Sequence, residues 1–309
     1  MRKIYAALLA GVLCLGIAGC GSSENQPAGK GAVYTYKDQR IEVKAAPERI
    51  VMLTTPLLNM AYAVGGSSVG RPTTNNPIPE EAKGLPEIGH VQNINMESLV
   101  GLKPDLAIGE TTQNKKLESL LQANKIPYVL ITYDGINDNV PLMEFMGQIY
   151  GIPDKAKAVI DDYNARMKKV EEEAAAKQPV KVAILRATGK DVTAETPKSI
   201  CASMAELLKM DNVVTGHDEL KLDTKTVSYS LEQLSSDNPD VIFIVTMGKA
   251  EEINKKLDQE MRSNPAWAYL DAVRNNRVFF LPADLFLLNP GIRTPEAMQQ
   301  LLNLAYKDM

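Results

Sequence analysis

ESLVGLKPDLAI, residues 97–108, and EQLSSDNPDVIF, residues 232–243, set one pattern down twice. Glu97-x-Leu99 is followed by Pro104-Asp105-Leu106 and Ile108, and Glu232-x-Leu234 is followed at the same offsets by Pro239-Asp240-Val241 and Phe243. Each copy reads as the start of a helix, a proline-led turn and an apolar run of strand length. On the N-terminal side, residues 50–53 (IVML) are β-rich, and Thr54 or Thr55 can cap a helix with Pro56 at its first position. Residues 57–64 are then apolar on nearly every side, which predicts a buried helix, and Gly65-Gly66 stops it. Strand, helix and strand signals follow over 105–108, 115–123 and 127–132. A second series runs through a strand at 180–187, a helix at 200–210, a strand at 241–245, a helix at 250–262 and a strand at 277–281. Strands alternating with helices of about ten residues predict parallel, doubly wound sheets.

Between the two series lies a highly charged helical pattern, residues 153–177, with an apolar stripe through Ala156, Val159, Ile160, Tyr163, Met167 and Val170. The expected architecture is α/β, with two Rossmann-like lobes of parallel sheet joined by a long backbone helix and a ligand cleft between the lobes. The N-terminal lobe is expected over residues 34–152, the bridging helix over 153–178 and the C-terminal lobe over 179–309.

The 309 residues suit two domains of ordinary globular composition, with 45% hydrophobic and 23% charged residues. A formal charge of −4 and 6% aromatics exclude a dedicated nucleic-acid binder, which needs a cationic face or stacking platforms. Three cysteines (Cys14, Cys20 and Cys201) build no disulfide framework or cysteine zinc site, and two histidines (His90 and His217) build no histidine cluster.

The N-terminus reads as an address. Arg2 and Lys3 precede an apolar run over 4–15, too short to span a bilayer but suited to a signal peptide. The run ends in Gly16-Ile17-Ala18-Gly19-Cys20, which resembles a bacterial lipobox. That resemblance implies a lipoprotein signal peptide over 1–19 and attachment of acyl chains such as palmitate to Cys20. Residues 20–33, rich in Gly, Ser and Pro, then read as a flexible, lipid-anchored tether. The expected location is outside the cytoplasm, anchored by lipid to the bacterial cell membrane.

Motifs give no positive reason for catalysis. The chain has no Gly-x-Gly-x-x-Gly, no Gly-x-x-x-x-Gly-Lys-Ser/Thr and no His-Glu-x-x-His, and Gly66-Ser67-Ser68-Val69-Gly70, which has the letters of Gly-x-Ser-x-Gly, reads as a helix stop rather than a nucleophile elbow. The paired carboxylates Asp161-Asp162 and Glu171–Glu173 sit in the charged helical pattern and read as a solvated face. An exported hydrolase on two α/β lobes is therefore the distant alternative, and the expectation is a protein that is no enzyme.

The segments at 49–70 (RIVMLTTPLLNMAYAVGGSSVG), 85–90 (LPEIGH), 95–108, 230–244 (SLEQLSSDNPDVIFI) and 264–284 (NPAWAYLDAVRNNRVFFLPAD) together resemble the class III substrate-binding proteins of ABC importers. The resemblance spans nearly the whole chain beyond residue 20. It implies a monomeric carrier of an iron complex or corrinoid, partnered by an ABC permease in the membrane. Haem is the first expected cargo, a ferric siderophore the second and cobalamin the third. In the family, a glutamate at a helix start in each lobe docks onto permease arginines, and Glu97 and Glu232 match those positions. Helix-terminus chemistry explains the same residues, since Asn95 is a good N-cap and Ser230 with Gln233 forms a capping-box pattern.

The resemblance is greatest to the haem-binding lipoproteins of iron-regulated surface uptake systems. There, a methionine of one lobe and a histidine of the other ligate haem iron. Met60 matches the methionine, whereas Met247 stands at the histidine position, which implies a bis-methionine iron or a different cargo. A thioether is a soft ligand that suits haem iron better than an oxygen-caged ferric chelate. It is equally a good core filler, so both readings stay open for each methionine. For the anionic groups of a cargo, Arg71 and Arg186 near predicted strand ends are the expected partners, with Lys190 and Arg293 as weaker ones. Tyr229 and Tyr62 are candidates for stacking on a macrocycle, with packing as the competing reading. His90 and His217 read as structural or solvated, and Cys201 as a buried thiol.

Overall fold

The computed structural model describes residues 32–43 and 46–307. The expected signal peptide, the lipidation site Cys20 and the tether up to residue 31 lie outside the described residues.

The N-terminal lobe opens with an antiparallel hairpin of β1 (Ala32–Tyr36) and β2 (Gln39–Val43), which no periodicity in the sequence had suggested. Tyr36 turns inward and meets Phe145 edge-on, with ring centroids 5.6 Å apart. The lobe's sheet is built from β3 (Ile50–Met52), and a small hairpin of β4 (Gly89–His90) and β5 (Asn93–Ile94) precedes β6 (Leu106–Glu110) and β7 (Tyr128–Ile131). Its order is β3-β6-β7, all parallel. Every residue of β3 and β6 is buried, as expected of strands covered on both faces.

In the C-terminal lobe, β8 (Lys181–Ala187), β9 (Val192–Glu195), β10 (Asp211–Asn212), β11 (Thr226–Val227), β12 (Val241–Thr246) and β13 (Val278–Leu281) form one sheet. Its order is β11-β9-β8-β12-β13, with β10 also paired to β8. The strands β10, β8, β12 and β13 are parallel, but β9 and β11 add an antiparallel edge. The reason is the turn Thr188–Asp191. Thr188 Oγ1 accepts from the amides of Lys190 and Asp191, and four residues are too few for the crossover a parallel neighbour requires.

The repeated Pro-Asp has one job in both lobes. The Asp105 carboxylate accepts from the amides of Glu48 and Arg49 at 2.8 and 2.9 Å, just before β3. Asp240 accepts from the amide of Lys181 at 2.9 Å, where β8 begins. Each aspartate thus fixes the first parallel strand of its lobe against the strand it introduces.

The bridging helix spans Pro153–Ala175. Pro153 suits its first turn, and Ala156, Tyr163, Val170 and Ala174 form its buried stripe. Its outer face carries the i,i+4 pairs Lys157–Asp161 and Asp162–Arg166. The preceding helix, Asn139–Ile149, lies close against it because a β-carbon at Gly147 would collide with Ala156. Asn139, fully buried at the start of that helix, ties three bodies together. Its oxygen accepts from Tyr133 Oη at 2.6 Å, and its Nδ2 lies 3.1 Å from Tyr163 Oη, 3.1 Å from the Gly291 carbonyl and 2.8 Å from Thr294 Oγ1. A second link between the lobes runs from Asn289 Nδ2 to the Gly135 carbonyl at 2.8 Å.

Among the described residues, no helix is long and apolar enough to cross a membrane.

Candidate functional site

A cleft of about 370 Å³ opens between the lobes. One wall is the helix Thr55–Ala63, presenting Pro56, Asn59 and Met60, and the loop of Pro77 and Ile78 closes one side. The opposite wall is the C-terminal segment from Leu288 to Arg293. The first helix is positioned from below: Thr54 precedes it, but its hydroxyl makes no cap and instead donates to Glu110 Oε1 at 2.7 Å. Gln113 donates to the other oxygen of Glu110 at 3.0 Å, and burial pushes this carboxyl above its ordinary value.

The cleft pairs apolar walls with few polar groups. Asn59 donates to the Pro77 carbonyl at 3.1 Å, while its Oδ1 is buried with no partner. Arg293 lines the cleft, but its guanidinium is already matched. It contacts Asp284 at 3.0 Å and Glu296 at 2.9 and 3.0 Å, and these bonds, Glu296 first, raise its pKa. An anion at Arg293 would therefore compete with two carboxylates.

Of the expected ligand-binding residues, Met60 and Arg293 line this cleft. Met60 is 1% exposed and belongs to the N-lobe core, so the lining role and the packing role coexist in one side chain. Met247 is 53% exposed and follows β12, its amide donating to the Ala187 carbonyl at 2.9 Å, and it is not among the cleft's lining residues. It is therefore not a core filler. Arg71 is bound to Glu87 at 2.7 Å and bridges strand-like to it, bracing the loop that leads to Pro77. Arg186 holds the fully buried Glu195 through contacts of 2.7 and 2.8 Å. Burial raises Glu195's pKa and Arg186 opposes that rise. Tyr229 donates to Asp237 and stands edge-on to His217, with centroids 5.7 Å apart, while Tyr62 lines the cleft. Lys190 is exposed in the β8–β9 turn and His90 is exposed in the β4–β5 hairpin. Cys201 is a buried free thiol whose pKa burial pushes up.

Glu97 and Glu232 occupy matching places. Each is exposed in the first turn of a short helix, Met96–Gly101 or Leu231–Asp237. Capping falls to their neighbours: Asn95 accepts from the Ser98 amide at 3.0 Å, and Ser230 and Gln233 form a complete capping box. Both carboxylates are consequently left to solvent.

Sequence reasoning missed Asn59, Asn139 and Gly291. Asn59 was visible as the lone polar residue in the apolar run 57–64, and Asn289-Pro290-Gly291 as a turn signal. Asn139 carried no local signal, because its partners are far away in sequence.

The profile of the periplasmic binding protein family matches residues 50–285. The high-affinity heme uptake system protein IsdE of Staphylococcus aureus is 27% identical over 266 residues, covering 86% of this chain and 89% of the relative. The structure of S. aureus IsdE complexed with heme superposes with a TM-score of 0.72 at 27% identity, covering 84% of this chain and 99% of that one. An ABC transporter substrate-binding protein from Listeria monocytogenes EGD-e gives a TM-score of 0.73 at 23% identity, over 84% and 99% of the two chains. With two α/β lobes, a bridging helix, an interlobe cleft and a family match across most of its length, this chain belongs to the periplasmic binding protein family.

Proposed function

We propose that this protein is the extracytoplasmic substrate-binding component of an ABC importer, capturing an iron complex and delivering it to a membrane permease. Haem is the favoured cargo. The observation that carries this reading is the cleft between two lobes tied by Asn139, with the thioether of Met60 in its wall. Likeness to a heme uptake protein over most of both chains supports it. In this reading Met60 is a soft axial ligand, and Met247, exposed at the carboxyl end of β12, is the second ligand once cargo draws its loop inward. Arg71, Arg186, Tyr229 and Arg293 serve as supporting residues, with Arg293 alone of these at the cleft. Glu97 and Glu232 dock the permease, Cys20 carries the lipid, and the protein works as a monomer that makes and breaks no bond.

Two observations favour a second cargo, a ferric siderophore or other complete chelate. Arg293 is matched by two carboxylates, and Met247 lies outside the cleft lining. A chelate that brings its own ligands needs neither.

The test is titration with haemin followed by gel filtration. A shifted Soret band that travels with the protein is the expected outcome. No shift, with a coloured ferric siderophore retained instead, replaces haem by the second cargo. Retention of neither overturns the carrier reading.

A further inference from the structure

The two helices that carry Glu97 and Glu232 are held at their far ends by one device, with an addition in the C-terminal lobe alone. Arg49 donates to the carbonyls of Leu102 at 2.6 Å and Lys103 at 3.2 Å. Lys181, at the matching strand start, donates to the carbonyl of Asp237 at 3.2 Å. Leu102 and Asp237 are equivalent, each five residues beyond its lobe's glutamate. Leu102 offers no polar side chain at this point, whereas Asp237 does. His217, which follows the turn Val213–Gly216, lies between two carboxylates: its Nε2 is 2.7 Å from Asp237 Oδ2 and its Nδ1 is 3.0 Å from Glu219 Oε1. Tyr229 donates to the same Asp237 oxygen, and its hydroxyl is 3.5 Å from His217 Nε2. Among the described residues, no other ionisable side chain bonds to the ring.

An ionised carboxylate only accepts, and a neutral imidazole carries a single N–H. The neutral ring satisfies one of its two carboxylates and turns a lone pair toward the other, while the charged ring satisfies both. These hydrogen bonds, Asp237 first, accordingly raise the pKa of His217. The His217 loop is thus fastened to the last residue of the Glu232 helix in the charged state. The hold on the Glu97 helix has no imidazole in it.

We propose that His217 is a positioning residue for the permease contact: its charged ring clamps the helix that presents Glu232, and loss of the ring's proton loosens that helix and leaves the Glu97 helix as it was. The proposal rests on the docking reading of Glu97 and Glu232. It makes the C-terminal lobe's contact weaken as pH rises through the titration of the ring, with the N-terminal lobe's contact as an internal reference.

Two measurements on the full chain separate the clamp from the docking. Hydrogen exchange, corrected for the intrinsic effect of pH, reads the clamp. Protection of the amides of residues 231–238 should fall about two- to fivefold as pH rises from below 6.5, the scale of a part-exposed charge pair, with residues 97–103 unchanged. His217→Gln should flatten that fall, as should Asp237→Leu, which gives the C-terminal helix the residue of its N-terminal counterpart. Equal profiles for the two helices, or a fall that His217→Gln leaves intact, overturn the inference. Photo-crosslinking in whole cells reads the docking, with benzoylphenylalanine in place of Ser235 or of its equivalent Val100, both exposed. The ratio of Ser235 to Val100 adducts with an ABC permease, identified by mass spectrometry, should fall over the same pH range in the parent and stay level in His217→Gln. A ratio level in both, with exchange showing the clamp open, removes the positioning role and leaves the docking reading standing. No permease adduct at either position overturns the docking reading, and this inference with it.

Discussion

Met60 of the N-terminal lobe and Gly291 of the C-terminal lobe meet across the cleft. A β-carbon placed on Gly291 would stand 3.2 Å from the terminal methyl of Met60 and 3.6 Å from Tyr133 Oη. Gly291 has φ +59°, and its carbonyl accepts from Asn139. Conformation and space thus ask for glycine at the point where the two lobes touch beside the cleft.

Gly291→Ala should destabilise the protein by about 1–2 kcal/mol, because a side chain in the left-handed region is strained. Met60 must also give way, so cargo affinity should fall with stability. Urea denaturation and cargo titration of one sample check both, and unchanged values in both would refute the close fit.

Met60→Ala and Met247→Ala should separate packing from ligation. Met60 is fully packed, so its truncation should cost about 2–4 kcal/mol in addition to any loss of cargo. Met247 is half exposed, and its truncation should change stability by no more than about 0.5 kcal/mol. If Met247 ligates iron in the loaded protein, Met247→Ala alters the Soret spectrum with an unchanged melting curve. An unaltered spectrum removes Met247 from the ligand set.

Charge reversal at Glu97 and Glu232 should abolish cargo uptake by whole cells and spare cargo affinity in solution. Both residues are exposed and neither supplies its helix cap, so each change should cost stability no more than about 1 kcal/mol, the scale of a first-turn charge. Normal uptake by the double variant would sink the docking role.

His217 should give stability a pH dependence near neutrality. Its ring lies 2.7 Å from Asp237 and 3.0 Å from Glu219, and these hydrogen bonds, Asp237 first, raise its pKa above 6.5. A group whose folded pKa is raised adds stability that is fully present below its unfolded pKa and is lost as pH rises through the folded one. Melting temperatures measured from below 6.5 upward should therefore fall across that window, and His217→Gln should flatten the fall. A variant with the same slope as the parent would show that another group titrates there.

Much of the fold was legible because its signals are local. Thr54, Pro56 and Gly65 bracket the first helix, the stripe from Ala156 to Val170 marks the bridge, and the twin Pro-Asp motifs announce two like lobes. The antiparallel edge of β9 and β11 was not legible, since it depends on a four-residue turn closed by Thr188. The candidate site was legible only in part. Met60 falls at the cleft because it rides on a helix whose place is set by a short strand. Arg71 and Arg186 look like free cations in sequence, but Glu87 and Glu195 lie beside them in space.

The amino-acid order alone determined the α/β class, the two lobes, the connecting helix and the exposed glutamate at each helix start, because hydrophobic period, caps and turn residues act over a few positions. Tertiary structure decided which charges are spent on internal partners, and that Asn139 and Gly291 join the lobes. Those outcomes depend on contacts between residues far apart in sequence, 152 positions for Asn139 and Gly291, and no local pattern encodes which groups such contacts bring together.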